Sequence, residues 1–281
     1  MVMSGIEQVA IAIQPTLGSP VNPNILVPVL PGTFRATENF EQILDRGRRG
    51  QDTMDYRALQ GVGWSEITWE GEVAQGDSSN RAVVGYLIDN LMGRASTSTQ
   101  IGATGNYDHR LKLGTTKAYL TVEHDSGGVA GANDRRFGSC RVKELSFRFN
   151  AGEGSLGYTV TLEGRSPSAV TAQTPVVPAQ GDAWMGWQGQ ATFGSTGSSF
   201  TRLISGEWTL RRSLQRFVSA QNSRNVTDFY TGPLEVLCSM VLDYSIVTDL
   251  GNFRDKDQSE LSVEFITPLS GLTDTNQRSF G

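Results

Sequence analysis

A mainly β fold with one flanking α-helix, arranged as two tandem units, is what this chain predicts. Three observations carry that reading. Runs with a period of two dominate the pattern. A long hairpin pattern occurs twice. The 32 glycines among 281 residues suit many turns better than a helical bundle. The first hairpin copy runs from Phe40 to Val73 and the second from Trp208 to Tyr244. Each has an extended arm, a polar loop rich in Arg, Asp, Asn and Gly, and a long alternating strand. Identity between the copies is low, so the match is one of pattern.

Residues 1–35 read as an extended arm. Prolines at 15, 20, 23, 28 and 31 break any helix and remove backbone donors. The apolar run Ile25, Leu26, Val27 and Leu30 predicts that the arm docks on a surface, because leaving it in water is unfavourable. Residues 36–165 form the first β domain. Within it Ile67, Trp69 and Val73 alternate with Glu66, Thr68, Glu70 and Glu72, which predicts a half-buried strand with a wet, acidic face. Carboxylates on one strand face lie about 7 Å apart, but nothing in the pattern supplies the cleft that acid–base chemistry needs.

A helix is expected over about Ser79–Met92. Val83, Val84, Leu87, Ile88, Leu91 and Met92 fall on one stripe, Ser78, Ser79 or Asn80 can cap its start, and Gly93 follows its end. Strands are expected near His109–Leu113 and Lys117–Glu123. A hairpin then pairs Leu145, Phe147 and Phe149 with Leu156, Tyr158, Val160 and Leu162 around the turn 151–155. Residues 166–183, rich in Pro, Ala, Gln and Ser, read as a linker. Residues 184–281 form a second unit, with alternation from Leu234 to Tyr244, a short helical turn near Asp249–Arg254 and a strand Leu261–Ile266.

Chemistry is poorly represented. The run Gly152-Glu153-Gly154-Ser155-Leu156-Gly157 matches a dinucleotide fingerprint in letters, but a strand follows it where a helix is required. His124-Asp125-Ser126 holds triad residue types at consecutive positions, which cannot assemble a triad. Two histidines and two isolated cysteines, Cys140 and Cys238, make neither a zinc site nor a disulfide framework. Both cysteines sit in apolar strand contexts, where a thiol packs as a small hydrophobe. The expectation is a protein that is not an enzyme and holds no cofactor or metal. A net charge of -5 argues against tight binding to nucleic acid. The N-terminal segment has neither the basic start of a signal peptide nor an apolar run long enough to span a membrane, so synthesis and residence in a cytosol are expected.

The order of segments resembles the major tail tube proteins of long-tailed, siphovirus-type bacteriophages. The resemblance rests on ILVPVLPGTFRATENFEQI before the loop DRGRRGQDTM, WSEITWEGEV before AVVGYLIDNLMG, and HRLKL and KAYLTVE before VKELSFRFNAGEGSLGYTVTLEGRS. It covers one complete unit over about 30–165. Residues 184–281 match most of a second unit but lack its closing hairpin. The resemblance implies a β-sandwich or barrel-like subunit that joins its neighbours edge to edge in rings. It implies stacked rings forming a tube for DNA, with partners among the tape measure, terminator and baseplate proteins. It places the protein in the virion tail, assembled in the host cytoplasm, with DNA only transiently in the lumen. Two units favour a ring of three that mimics six, with six subunits as the alternative.

On that reading Glu66, Glu70 and Glu72 face the lumen, Arg46, Arg48, Arg49, Asn222 and Arg224 lie in inter-ring loops, and Ile25, Leu26, Val27 and Leu30 dock the arm. The competing reading is a carbohydrate- or receptor-binding β-sandwich using Trp64, Trp69, Trp184, Trp187 and Trp208 as a platform. Their strand positions predict burial for most of them.

Overall fold

A computed structural model describes residues 8–45, 57–74, 83–93, 97–101, 106–125, 134–169, 182–193, 198–200, 203–220, 223–243, 261–266 and 279–280. The strands begin with β1 (Gln8–Gln14), β2 (Ile25–Val27), β3 (Arg35–Asp45) and β4 (Arg57–Glu72), followed by the helix α1 (Val83–Met92). Next come β5 (Thr97–Ile101), β6 (Asn106–Arg110), β7 (Tyr119–Asp125), β8 (Arg135–Asn150), β9 (Glu153–Arg165) and β10 (Ser168–Ala169). After a 3-10 turn at Gly186–Gln188 the chain adds β11 (Gly189–Phe193), β12 (Ser198–Phe200), β13 (Leu203–Phe217), β14 (Asp228–Leu242), β15 (Leu261–Ile266) and β16 (Ser279–Phe280).

Strand β8 organises the fold because it belongs to two wings of one antiparallel sheet. Its first half pairs with β7, which leads to β1 and β2. Its second half lies between β9 and β13. The order of that second wing is β3-β4-β9-β8-β13-β14. A β-bulge makes the corner, since one residue of β7, Thr121, faces both Gly138 and Ser139. Ser139 holds a φ of 54°, an uncommon conformation for a residue with a side chain. The buried Gln14 fixes it. The Ser139 N–H donates to Gln14 Oε1 at 2.7 Å, Gln14 Nε2 donates to Ser139 Oγ at 3.0 Å, and Thr121 Oγ1 donates to Gln14 Oε1 at 3.2 Å.

The wings close over each other as a β-sandwich, and alternation decides which side chains enter it. Ile67, Trp69 and Val73 of the β4 segment, with Leu156, Tyr158, Val160 and Leu162 of β9, are fully buried against Val9, Ile11 and Val122 of the other wing. Trp69 Nε1 donates to Tyr158 Oη at 3.3 Å, so two large rings enter the core with their polar atoms partnered. Helix α1 packs on β8 through its apolar stripe and one polar clamp. Asn90 Nδ2 donates to the Ala118 carbonyl at 3.0 Å, and Asn90 Oδ1 accepts from the Val142 N–H at 2.7 Å. Gly93, at φ 88°, ends the helix as its sequence position predicts. The residues proposed to cap its start lie outside the described part, as does the expected helical turn near 249–254.

Both predicted hairpins exist. The β3–β4 and β13–β14 pairs flank the central β8–β9 hairpin; the first shifts register near Phe40/Gln42, the second near Leu203/Ser205 and again near Arg212/Leu214. Because the whole wing is antiparallel, both long hairpins point their tips away from the β8–β9 turn. The match to GxGxxG is indeed that turn, continuing directly into β9. The halves on either side of 166–183 share one sheet, since β13 pairs with β8 from Glu144 to Asn150. Trp184 is buried in the same core. Residues 170–181 of the expected linker lie outside the described part.

Residues 8–14 and 25–30 of the N-terminal segment are built into their own subunit. Ile25, Leu26 and Val27 pair with β1, Ile25 and Val27 are buried, and the Leu30 N–H donates to the Glu70 carbonyl at 2.8 Å. One thiol departs from expectation. Cys140 is buried, and burial pushes its pKa up, but Cys238 is exposed on β14. A thiol reagent should therefore modify one cysteine per native chain, Cys238, and reach Cys140 only after denaturation. Two fast-reacting thiols in the native state would contradict the packing at the corner.

Candidate functional site

The second wing turns one face to the core and one to water. Register places Glu66, Glu70 and Glu72 of β4 on the wet face with Thr159 and Thr161 of β9, Ser146 and Arg148 of β8, and Glu207, Thr209 and Arg211 of β13. The predicted acidic stripe is thus present, but it is interleaved with bases from strands far away in sequence. Arg148 Nη2 lies 2.9 Å from Glu70, and Lys143 Nζ lies 3.7 Å from Glu66 and 3.1 Å from the buried Glu163. The Ser155 hydroxyl donates to Glu72 at 2.6 Å. Gly157 stands opposite both Glu72 and Arg148. Further along, Arg211 pairs with Glu235 at 2.7 Å. Sequence reasoning missed these bases because only the strand order reveals which residues share the face.

The lower end of this face is covered by the distal half of the β13–β14 hairpin. Beyond its bulge the hairpin crosses the body as a strap anchored by the fully buried Val226 and Phe229. Arg216 reaches Glu163 at 2.9 Å and stacks over Trp64 at 4.1 Å, while Arg165 donates to the Thr227 carbonyl at 2.8 Å. Beneath it Arg141 is buried, with its Nε and Nη1 unpartnered and its guanidinium near the Tyr119 ring. Arg224, predicted as an inter-ring contact, sits exposed at the strap's tip. Its carbonyl accepts from the Gly63 N–H at 2.7 Å, and its Nη1 donates to Gln60 Oε1 at 3.3 Å. Arg46, Arg48, Arg49 and Asn222 lie outside the described residues.

Asp228 ties the strap to the body through Lys117 Nζ and the Tyr119 hydroxyl, the latter at 2.8 Å. Partial burial acts to raise its pKa. The hydrogen bonds from Lys117, Tyr119 and the Phe229 N–H, with the Lys117 charge, outweigh burial and hold the carboxyl below its ordinary value. The stability this adds is complete above the unfolded aspartate's pKa and is lost as pH falls through the lowered folded value. Asp228→Asn should therefore melt below the parent at neutral pH, with the gap closing in acid. A gap that is the same at every pH would contradict this role.

The wing ends in two long edges. Among the described residues β3 pairs only with β4, and β14 only with β13. Edge strands of monomers are usually short, bulged or guarded by lysine. Strand β14 has 15 residues and no lysine or arginine, and it exposes Val236, Leu237 and Val241, each more than half accessible. These residues alternate in direction, so both of its faces are apolar. Pro233 fits an edge position, where a missing ladder donor is tolerated. Strand β3 exposes Phe40 and Ile43. No group of three or more metal-ligating side chains is assembled among the described residues, and no described helix is long and apolar enough to cross a membrane.

A family model described as phage tail tube protein matches residues 7–276. The chain belongs to the phage tail tube protein family. It is accordingly a structural component of the phage tail and part of the virion, built on a mainly β sandwich. The match runs across both hairpins and the segment between them. No curated protein matches the chain.

Proposed function

We propose that the chain closes into rings by pairing β14 of one copy with β3 of the next, wet face inward, and that stacked rings form the conduit for DNA. The observation that carries this reading is the even strand count between the two open edges. Across β3-β4-β9-β8-β13-β14 every pair is antiparallel, so the two edge strands run in opposite senses. Rotation about an axis along the strands keeps those senses, and the next β3 then continues the antiparallel pattern beside β14. A closed ring removes both edges at once.

The inward face carries more carboxylates than bases, and Arg148 and Lys143 hold two of them in fixed positions. Such a wall offers a phosphate backbone few free cations, so DNA passes without being gripped. The chain acts without catalysis or cofactor, and the tape measure, terminator and baseplate proteins are its further partners. Assembly takes place in the host cytoplasm. The two flanking hairpins favour a ring of three that mimics six, with six subunits as the alternative. The aromatic platform of a sugar-binding module finds little support, since Trp69 and Trp184 are buried, Trp64 lies under Arg216 and Trp208 stacks on Phe149.

Cys238 supplies a native probe of the edge. Its exposed thiol should be modified in the monomer, and modification should slow by at least about tenfold in assembled material, as a strand pairs against β14. Unchanged reactivity in assembled particles would show that β14 is not the closing edge.

A further inference from the structure

Strand β8 changes partner along one edge, and the change leaves a gap. Its last ladder partner in β7 is Leu120, opposite Cys140, and its first in β13 is Arg211, opposite Glu144. Among the described residues, no strand lies beside positions 141–143 on that edge. Asn90 of α1 enters part of the gap, where its Oδ1 accepts from the Val142 N–H and its Nδ2 donates to the Ala118 carbonyl. Arg141 occupies the first of the three positions. Tyr119 flanks it from the β7 side, with the guanidinium 5.7 Å from the ring centroid, and Arg212 follows Arg211 on the β13 side. The strap's Asp228 reaches the same place through its 2.8 Å bond from the Tyr119 hydroxyl.

Charge in this gap is unbalanced. Arg141 is 2% exposed, and its Nε and Nη1 have no hydrogen-bond partner. The carboxylate opposite it in register, Glu163, gives one oxygen to Lys143 at 3.1 Å and the other to Arg216 at 2.9 Å. Asp228 is engaged by Lys117, the Tyr119 hydroxyl and the Phe229 N–H. Arg212 donates to two carbonyls, those of Leu91 and Gly232, each at 3.0 Å. Burial pushes the Arg141 pKa down from its ordinary value; Tyr119 and Asp228 oppose this, and the nearby Arg212 charge adds to it. A buried guanidinium without a counter-charge is costly, and a second cation beside it adds to the cost. Water can satisfy the N–H groups but not the charge. We infer that the gap binds a small oxyanion of the phosphate or sulfate class, held by Arg141 and Arg212. Guanidinium donors match such oxygens in geometry and give charge-assisted hydrogen bonds. Arg141 belongs to the body and Arg212 stands at the bulge where the strap begins, so the anion fastens one to the other. The site belongs to the folded subunit and is independent of ring closure.

Thermal melts of the full chain in rising sodium phosphate test this, with ionic strength held constant by sodium gluconate, whose anion is too bulky for a buried site. Phosphate should raise the melting midpoint saturably, by about 2 °C or more, and sulfate should replace it. Arg141→Gln should abolish the shift. Arg141→Lys, the milder variant, keeps the charge but loses the planar fork and should need at least about fivefold more phosphate for the same shift. Arg211→Gln, at an exposed neighbouring position, should keep the full shift. A parental midpoint that ignores both anions would overturn the inference and leave water as the partner of the Arg141 donors. A shift of parental size in Arg141→Gln would overturn it by placing the anion elsewhere. Should that variant fail to fold, an unchanged phosphate dependence in Arg141→Lys would overturn it equally. Loss of the shift in Arg211→Gln would move the anion to the wet face and overturn the buried site.

Discussion

Val236→Lys combined with Leu237→Lys should abolish ring formation while leaving the subunit folded. The two side chains point to opposite faces of β14 and are both more than half exposed in the isolated subunit. The folded monomer therefore loses little, within about 0.5 kcal/mol for each surface site. Lysine on an edge strand is the device by which monomeric sheets prevent pairing, because a neighbouring strand would have to desolvate the ammonium. Covering the exposed half of Leu237 contributes about 1 kcal/mol at each subunit contact. Losing both side chains and adding two charges should raise the concentration needed for assembly more than about hundredfold. Sedimentation velocity reads the assembly and circular dichroism reads the fold. A double variant that still assembles like the parent would exclude β14 as a ring contact.

Gln14→Leu should produce the largest loss of stability among single changes near the corner. Gln14 is buried, and one side chain serves the Ser139 N–H, the Ser139 hydroxyl, the Thr121 hydroxyl and the Thr16 carbonyl. Leucine fills similar volume but leaves a buried N–H and a buried hydroxyl without their partners. Each orphaned group costs about 1–3 kcal/mol, so a loss of about 3 kcal/mol or more is expected. The Ser139 backbone, already at positive φ, also loses the hydrogen bonds that hold it. Equilibrium denaturation measures the effect. A change below about 1 kcal/mol would mean that the bulge, and not the glutamine, sets the corner. Because β8 joins the two wings there, Gln14→Leu should also weaken assembly, although Gln14 is buried and lies on neither edge strand.

Much of this architecture is legible in the chain, and the reasons differ by element. The helix stripe from Val83, the glycine that ends it and the alternation around Trp69 are local signals, and the structure places each as the pattern predicts. The β8–β9 hairpin is equally local, since its turn and both alternating arms are contiguous. The partnership of β13 with β8 is invisible to such reasoning, because it joins residues about sixty positions apart and no sequence pattern encodes the register. The same holds for Arg148 and Lys143, which reach Glu70 and Glu66 only after folding. Cys238 and Trp187 show the limit of reading burial from pattern. The alternation that buries a side chain in a central strand leaves it in water on an edge, and Trp187 lies within a 3-10 turn that carries it outside the core. The acidic stripe was readable as a face, but its charge balance was not.

Negative-stain electron microscopy of the purified chain over a rising concentration series tests whether the open sheet edges close into rings. Closed rings are expected at moderate concentration and stacks of them above it, with the symmetry deciding between three and six subunits. Particles that remain monomeric at every concentration, with Cys238 as reactive at the highest as at the lowest, would contradict closure through the edges of this sheet.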